Sequence, residues 1–245
     1  MKKIIQASFL LAIASFVHTS SGKGEISTLP AQVKFDPGTV SLFADFSNQP
    51  KNGAVPVYLI NGTGAPLQLA AQDGDIYLKL EAQNEDGKWV RVQPHAYSWC
   101  GNSYFSPPKV PAKHFRMVGG YQPAKGKKSK VRYTLYGQTF KVSSNVGTGL
   151  VCPRAADLAS RDVMSVRYGD FDHVAKVALG ELDPKNEMDH VRNLQGTAIN
   201  ALGSGRFDAK KSNEILAQVI QKCPRMKGYA TSAQARLKKL AAKGD

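Results

Sequence analysis

The sequence predicts a mixed, mainly β fold: an antiparallel immunoglobulin-like β-sandwich followed by a small α-helical domain. Three observations lead there. Between residues 39 and 143, short segments rich in Val, Tyr and Phe alternate apolar with polar side chains and are separated by turn signals. Beyond residue 153, Ala, Leu, Lys and Asp dominate, and apolar residues recur at helical spacing. The change is abrupt and falls at Cys152-Pro153.

The chain begins with Lys2-Lys3, a nearly unbroken apolar run of 14 residues from Ile4 to Val17, and then Thr19-Ser20-Ser21-Gly22. A positive start, a short apolar stretch and small residues after it make up a secretory signal peptide. The run is too short to cross about 30 Å of hydrocarbon, which needs roughly 20 apolar residues. Residues 1–22 are therefore expected to be a leader, with cleavage after Thr19, Ser21 or Gly22, and the product is expected to be exported, periplasmic or secreted, with no membrane span. Residues 23–153 form the expected sandwich and residues 154–245 the expected helical domain.

Within the sandwich, the segment 39–46 places Val40, Leu42, Ala44 and Phe46 on one face. The segment 54–60 is apolar throughout, as in a strand covered on both sides, although Pro56 points to an edge or a bulge. Asn61-Gly62-Thr63-Gly64 is a turn. Ile76, Leu78, Leu80 and Ala82 face one way, and Tyr77, Lys79 and Glu81 the other. Glu85-Asp86-Gly87-Lys88 supplies a hairpin, because the tight turn needs positive φ, and residues 89–92 return. Residues 98–113, with Trp99, Tyr104, Phe105 and three prolines, read as a long loop, and Gly119-Gly120 with Lys125-Gly126-Lys127-Lys128 as a second one. Val131, Tyr133 and Leu135 point inward from a strand over 130–136, and a turn at Gly137 leads into 139–143.

The helical part reads as four or five helices. Asp183-Pro184 opens one that ends near Leu202, before Gly203. Ile215, Leu216, Val219, Ile220 and Cys223 form one apolar stripe that Pro224 stops. Thr231 with Gln234 matches a capping box opening a last helix with Leu237, Leu240 and Ala241 inside.

Charge carries the functional reading. The net charge is +14, and the 70 positions between Asp86 and Asp157 hold no carboxylate. That stretch contains 12 Lys and Arg residues, and a surface of one sign attracts anions and acidic partners. Export argues against nucleic acid and for cell-envelope polymers or an acidic protein. The expected binding residues are Lys113, Arg116, Lys125, Lys127, Lys128 and Lys130, with Trp99 and Tyr104 adding flat contact area. Of the three cysteines, an oxidising compartment would pair Cys100 with Cys152 and leave Cys223 as a buried helical thiol.

Two segments suggest catalytic alternatives. Cys100 in Ser98-Trp-Cys-Gly-Asn-Ser-Tyr-Phe105 suits a thiol nucleophile, with His95 or His114 as base, but lacks the local signature of a cysteine hydrolase. Asp170-Phe-Asp-His173 and Glu187-Met-Asp-His190 each place a carboxylate three residues before a histidine, as di-metal helix bundles do. Acids opening helices explain both clusters equally well. The reading is thus a non-enzymatic binding or structural protein without a cofactor, metal or catalytic residue; its rival is a thiol- or metal-dependent envelope enzyme built on Cys100 or on His173 and His190.

The runs 75–83, 87–91, Trp99-Cys-Gly-Asn-Ser-Tyr104 and 130–135 together resemble uncharacterised exported bacterial β-sandwich proteins over about residues 35–150. The resemblance implies the sandwich and transfers no functional residue.

Overall fold

The computed structural model describes residues 22–47, 54–72, 75–95, 108–137, 140–181 and 188–242, with the side chains of the fourth helix from Leu194 onward. The expected leader, apart from Gly22, and Trp99, Cys100 and Tyr104 lie outside these residues.

The fold is mixed, with many antiparallel strands and, among the described residues, six α-helices. In chain order the strands are β1 (Lys23–Glu25), β2 (Val40–Ala44), β3 (Val55–Asn61), β4 (Leu67–Gln68), β5 (Ala71–Gln72), β6 (Asp75–Ile76), β7 (Leu78–Gln83) and β8 (Trp89–Arg91). They continue as β9 (Lys109–Val110), β10 (His114–Gly120), β11 (Lys127–Tyr136), β12 (Lys141–Ser143) and β13 (Gly147–Val151). The helices are α1 (Pro153–Ser160), α2 (Val163–Tyr168), α3 (Phe171–Ala178), α4 (Met188–Leu202), α5 (Ala209–Lys222) and α6 (Lys227–Ala241).

One antiparallel sheet runs β1-β10-β3-β2. A second runs β12-β11-β7-β8, with β13 beside the first half of β11, and β4-β9 and β5-β6 are separate two-stranded pairs. Leu42, Ala44, Val57 and Leu59 from the first sheet meet Leu78, Leu80, Val131, Tyr133 and Leu135 from the second in one core. The alternation expected for 40–46, 76–82 and 131–135 is therefore the alternation observed. The hairpin at Gly87 has the expected positive φ of 77°.

Three expectations are corrected. The strand around Pro56 is central, between β10 and β2. Pro56 is accommodated because its carbonyl accepts from Asp45 N–H on the β2 side. Its ring nitrogen therefore also faces that side, just past Ala44, where β2 ends. Gly119-Gly120 is not a loop but the end of β10, and Lys127 and Lys128 already belong to β11. A Cβ on Gly120 would sit 2.5 Å from the Tyr133 ring, so the glycine lets one sheet close on the other. The last helix starts at Lys227 rather than at a Thr231 cap, because it follows directly from a 3₁₀ turn over Pro224–Met226. Its inward stripe is Ala230, Ala233 and Leu237, while Leu240 is 44% exposed.

Both sheets are also covered on their outer faces. Ile26, Leu29, Val33 and Phe35 from the N-terminal segment pack over Tyr58 and Ile60 of the first sheet. On the second sheet, Tyr77 and Tyr136 pack with Met164 and Tyr168 of α2. The next residue facing the other way, Val166, joins the helical core with Val174, Ile199, Leu216 and Leu237. The short α2 is thus the layer that ties the helices to the sheet. α4 ends at Leu202 and α5 just before Cys223-Pro224, as the stop signals indicated. Among the described residues, no helix is long and apolar enough to cross a membrane.

Candidate functional site

The basic residues divide into two groups. Lys113 occupies the turn before β10 at φ 58°, and its Nζ donates to Gly62 O at 2.6 Å. Arg116 lies within β10 opposite Leu59, on the face turned toward the shared core, and is half-buried. Neither belongs to the strand that carries the others. Lys125, Lys127, Lys128 and Lys130 are all exposed and follow one another along the loop into β11. Alternation puts Lys128 and Lys130 on the same face as Arg132, and Lys127 on the opposite one. None of the four is ion-paired with a carboxylate among the described residues.

Farther along the same face the charges are paired around a buried carboxylate. Glu81, 1% exposed, lies across from Arg132 on β11. Arg132 Nε donates to Glu81 Oε2 at 2.8 Å, and Tyr136 Oη and Lys141 Nζ reach Oε1 at 2.6 and 2.9 Å. Burial raises the Glu81 pKa, but these three donors outweigh it and hold the carboxyl below the usual range. Arg132 also lies 4.4 Å over the Trp89 ring.

A second buried cluster joins sheet to helices. Asp162 caps α2 by accepting Ser165 N–H at 3.0 Å. The same carboxylate takes Arg91 of β8 in a two-pronged pair, with Nη1 to Oδ2 at 2.7 Å and Nη2 to Oδ1. It also accepts the His95 N–H at 2.7 Å. Arg91 further donates to Gln93 O and Ala159 O. The His95 ring nitrogen lies 2.7 Å from Gln72 Oε1, and the ring stands edge-on to Tyr77. Burial, followed by the nearby Lys79 charge, drives the His95 pKa down to about 4, so the imidazole is neutral and donates to Gln72. Burial and then the Arg91 charge lower Lys79 to about 8, against the opposing pull of Asp162 and Asp75.

Lys79 and Glu81, which alternation turns away from the core, are therefore buried rather than in water, Lys79 beside Arg91 and Asp162 and Glu81 among Arg132, Tyr136 and Lys141. No local pattern announces this: Arg91 and Asp162 are 71 residues apart in sequence.

The two carboxylate–histidine motifs resolve unequally. Asp170 is the N-cap of α3 and accepts His173 N–H at 2.8 Å, which is the helix-opening role. The His173 ring meets Ser165 Oγ at 3.1 Å, and burial lowers its pKa. The Ser165 hydroxyl lies 2.7 Å from Asp162 O, its acceptor, leaving His173 to donate and not to act as base toward that serine. Glu187 and the His190 side chain lie outside the described residues. Among those described, no three His, Cys, Asp or Glu side chains converge as a metal site would require. Cys152 and Cys223 are half-buried free thiols; the expected partner of Cys152, Cys100, lies outside the described residues. A depression of about 330 Å³ separates the starts of α3 and α5, lined by Asp170, Phe171, Asp172, Phe207, Asp208 and Lys211. Two of its carboxylates, Asp170 and Asp208, are committed to helix caps.

Comparison with known proteins returned no matching family model, no matching curated protein and no matching solved structure.

Proposed function

We propose that this chain is an exported, non-enzymatic protein that binds an anionic partner, a cell-envelope polymer or an acidic protein, through the lysines leading into β11. The scaffold in this reading is an immunoglobulin-like β-sandwich with a helical unit attached. Its support is the single core shared by the two sheets. One observation carries the binding role: Lys125, Lys127, Lys128 and Lys130 are exposed and unmatched by carboxylates among the described residues, while Glu81 is paired with Arg132 and Lys141 and Asp162 with Arg91. A segment that leaves four successive cations in water, with no carboxylate of the described residues paired to them, concentrates positive potential there.

The test is salt dependence. Binding to an anionic envelope polymer should weaken at least tenfold between about 50 mM and 500 mM salt, because screening shortens the reach of exposed charges to a few ångströms. Changing all four lysines to Gln should abolish that dependence. Equal affinity at both salt concentrations refutes the reading.

A further inference from the structure

We propose that the outer edge of β13 accepts an added strand from an acidic, extended peptide. The proposal rests on the anionic-partner reading above and names the partner class.

The register of β11 shows which backbone groups are spoken for. Ser144 N–H donates to Tyr133 O, and Tyr136 N–H donates to Tyr77 O, each on its own side. Odd-numbered residues of β11 thus turn their backbone groups toward β12 and β13, and even-numbered ones toward β7. Lys127, Ser129 and Val131 stand opposite Val151, Gly149 and Gly147, so these three residues of β13 point inward. Thr148 and Leu150 point their N–H and C=O groups outward. Among the described residues, β13 pairs with β11 alone and those groups have no partner. Thr148 is exposed, and the adjoining Val146 is 53% exposed, so the edge is reachable.

The fold closes its comparable edge differently. At the end of β2, the Asn145 side chain takes both groups of Ala44: its Oδ1 accepts the N–H at 2.8 Å, and its Nδ2 donates to the carbonyl at 3.0 Å. Among the described residues nothing covers the β13 edge in this way, and the strand Gly-Thr-Gly-Leu-Val bears no charge of its own to repel a newcomer. The charge stands one strand back. Lys128 and Lys130 lie directly across from Leu150 and Thr148. An added strand would run about 10 Å from β11, two strand spacings. A lysine and a glutamate reaching toward each other over Thr148 span that gap. Carboxylates at alternate positions of a bound peptide would then face both lysines, with main-chain bonds supplying affinity and charge supplying selection.

The test uses fluorescence anisotropy at low salt with a labelled, end-capped peptide of alternating Glu and Val, and inorganic polyphosphate as a competitor that cannot form a ladder. Thr148→Pro removes an outward N–H and none directed at β11. It should weaken the peptide by about tenfold, the worth of one or two ladder bonds, and leave polyphosphate unaffected. N-methylating alternate peptide residues should cause the same loss; since it leaves the protein untouched, it decides the matter should the proline variant fail to fold. Converting Lys127, Lys128 and Lys130 to Gln should weaken both ligands. If neither Thr148→Pro nor N-methylation reduces binding, or if polyphosphate binds and the peptide does not, strand addition is wrong while the anionic-partner reading stands. If neither probe binds, both are wrong.

Discussion

Replacing Asp162 by Asn preserves the side-chain volume and removes only the charge, which isolates the pairing that joins α2 to the second sheet. Each carboxylate oxygen serves two donors: Oδ1 takes Arg91 Nη2 and Ser165 N–H, and Oδ2 takes Arg91 Nη1 and His95 N–H. An asparagine must place its NH₂ on one side or the other. Either orientation sets that NH₂ against an arginine N–H and a backbone N–H. The Arg91 and Asp162 side chains are only 9% and 8% exposed, so water does little to relieve the mismatch. Stranding one member of a buried ion pair costs about 3–5 kcal/mol. Asp162→Asn should therefore lower unfolding free energy by about 3 kcal/mol or more, measured by urea titration with far-ultraviolet circular dichroism and tryptophan emission. Adding Arg91→Met removes the stranded cation and should recover about 2 kcal/mol of that loss, a coupling that a double-mutant cycle reads directly. A cost below about 1 kcal/mol for the single change, or strict additivity of the two, would show that this pair does not hold helices to sheet.

Stability should vary with pH at both ends. Burial holds the His95 pKa at about 4 in the folded chain, against an ordinary 6.5, and His173 is lowered in the same direction. Below pH 6.5 the unfolded chain binds protons that the folded one refuses, so stability should fall as pH drops from 6.5 toward 4. After discounting for partial exposure, His95 contributes on the order of 1–2 kcal/mol, and His95→Phe should flatten this limb of the pH–melting profile. Lys79 works at the other end: with a folded value of about 8 against 10.5, the unfolded chain is the better proton acceptor between those values, so stability should rise across that window. A flat profile across it would remove the case for a buried Lys79 ammonium. Gly120→Ala should cost about 1–3 kcal/mol, since the new methyl carbon falls 2.5 Å from Tyr133 and 2.8 Å from Val57; a neutral substitution would mean that the two sheets are not closed there.

Much of the β pattern is legible in the chain itself. The alternation from Ile76 to Ala82 sorts side chains correctly into two sets, because a strand's period of two is a local property. It does not reveal that the second set is also covered. The sequence says only that Tyr77, Lys79 and Glu81 face the other way, and nothing near them in sequence signals the α2 residues packed on Tyr77 or the cations gathered around Glu81. The same limit hid β10: His114–Gly120 mixes His, Arg and two glycines, and only pairing with β3 makes it a strand. Asp170 was readable in part, because an acid at a helix start suits both a cap and a ligand, and local sequence cannot separate them.

What the chain determined unaided is the set of elements whose cause is local: the Gly87 hairpin, the apolar stripe of α5, and a run of cations without a nearby acid. Tertiary structure alone decided which charges are spent and which remain. Arg91, Arg132 and Lys141 became structural because sheet and helix brought Asp162 and Glu81 to them. The lysines entering β11 stayed in water because no carboxylate of the described fold reaches them. Coulomb attraction acts over a few ångströms of space and is indifferent to separation along the chain.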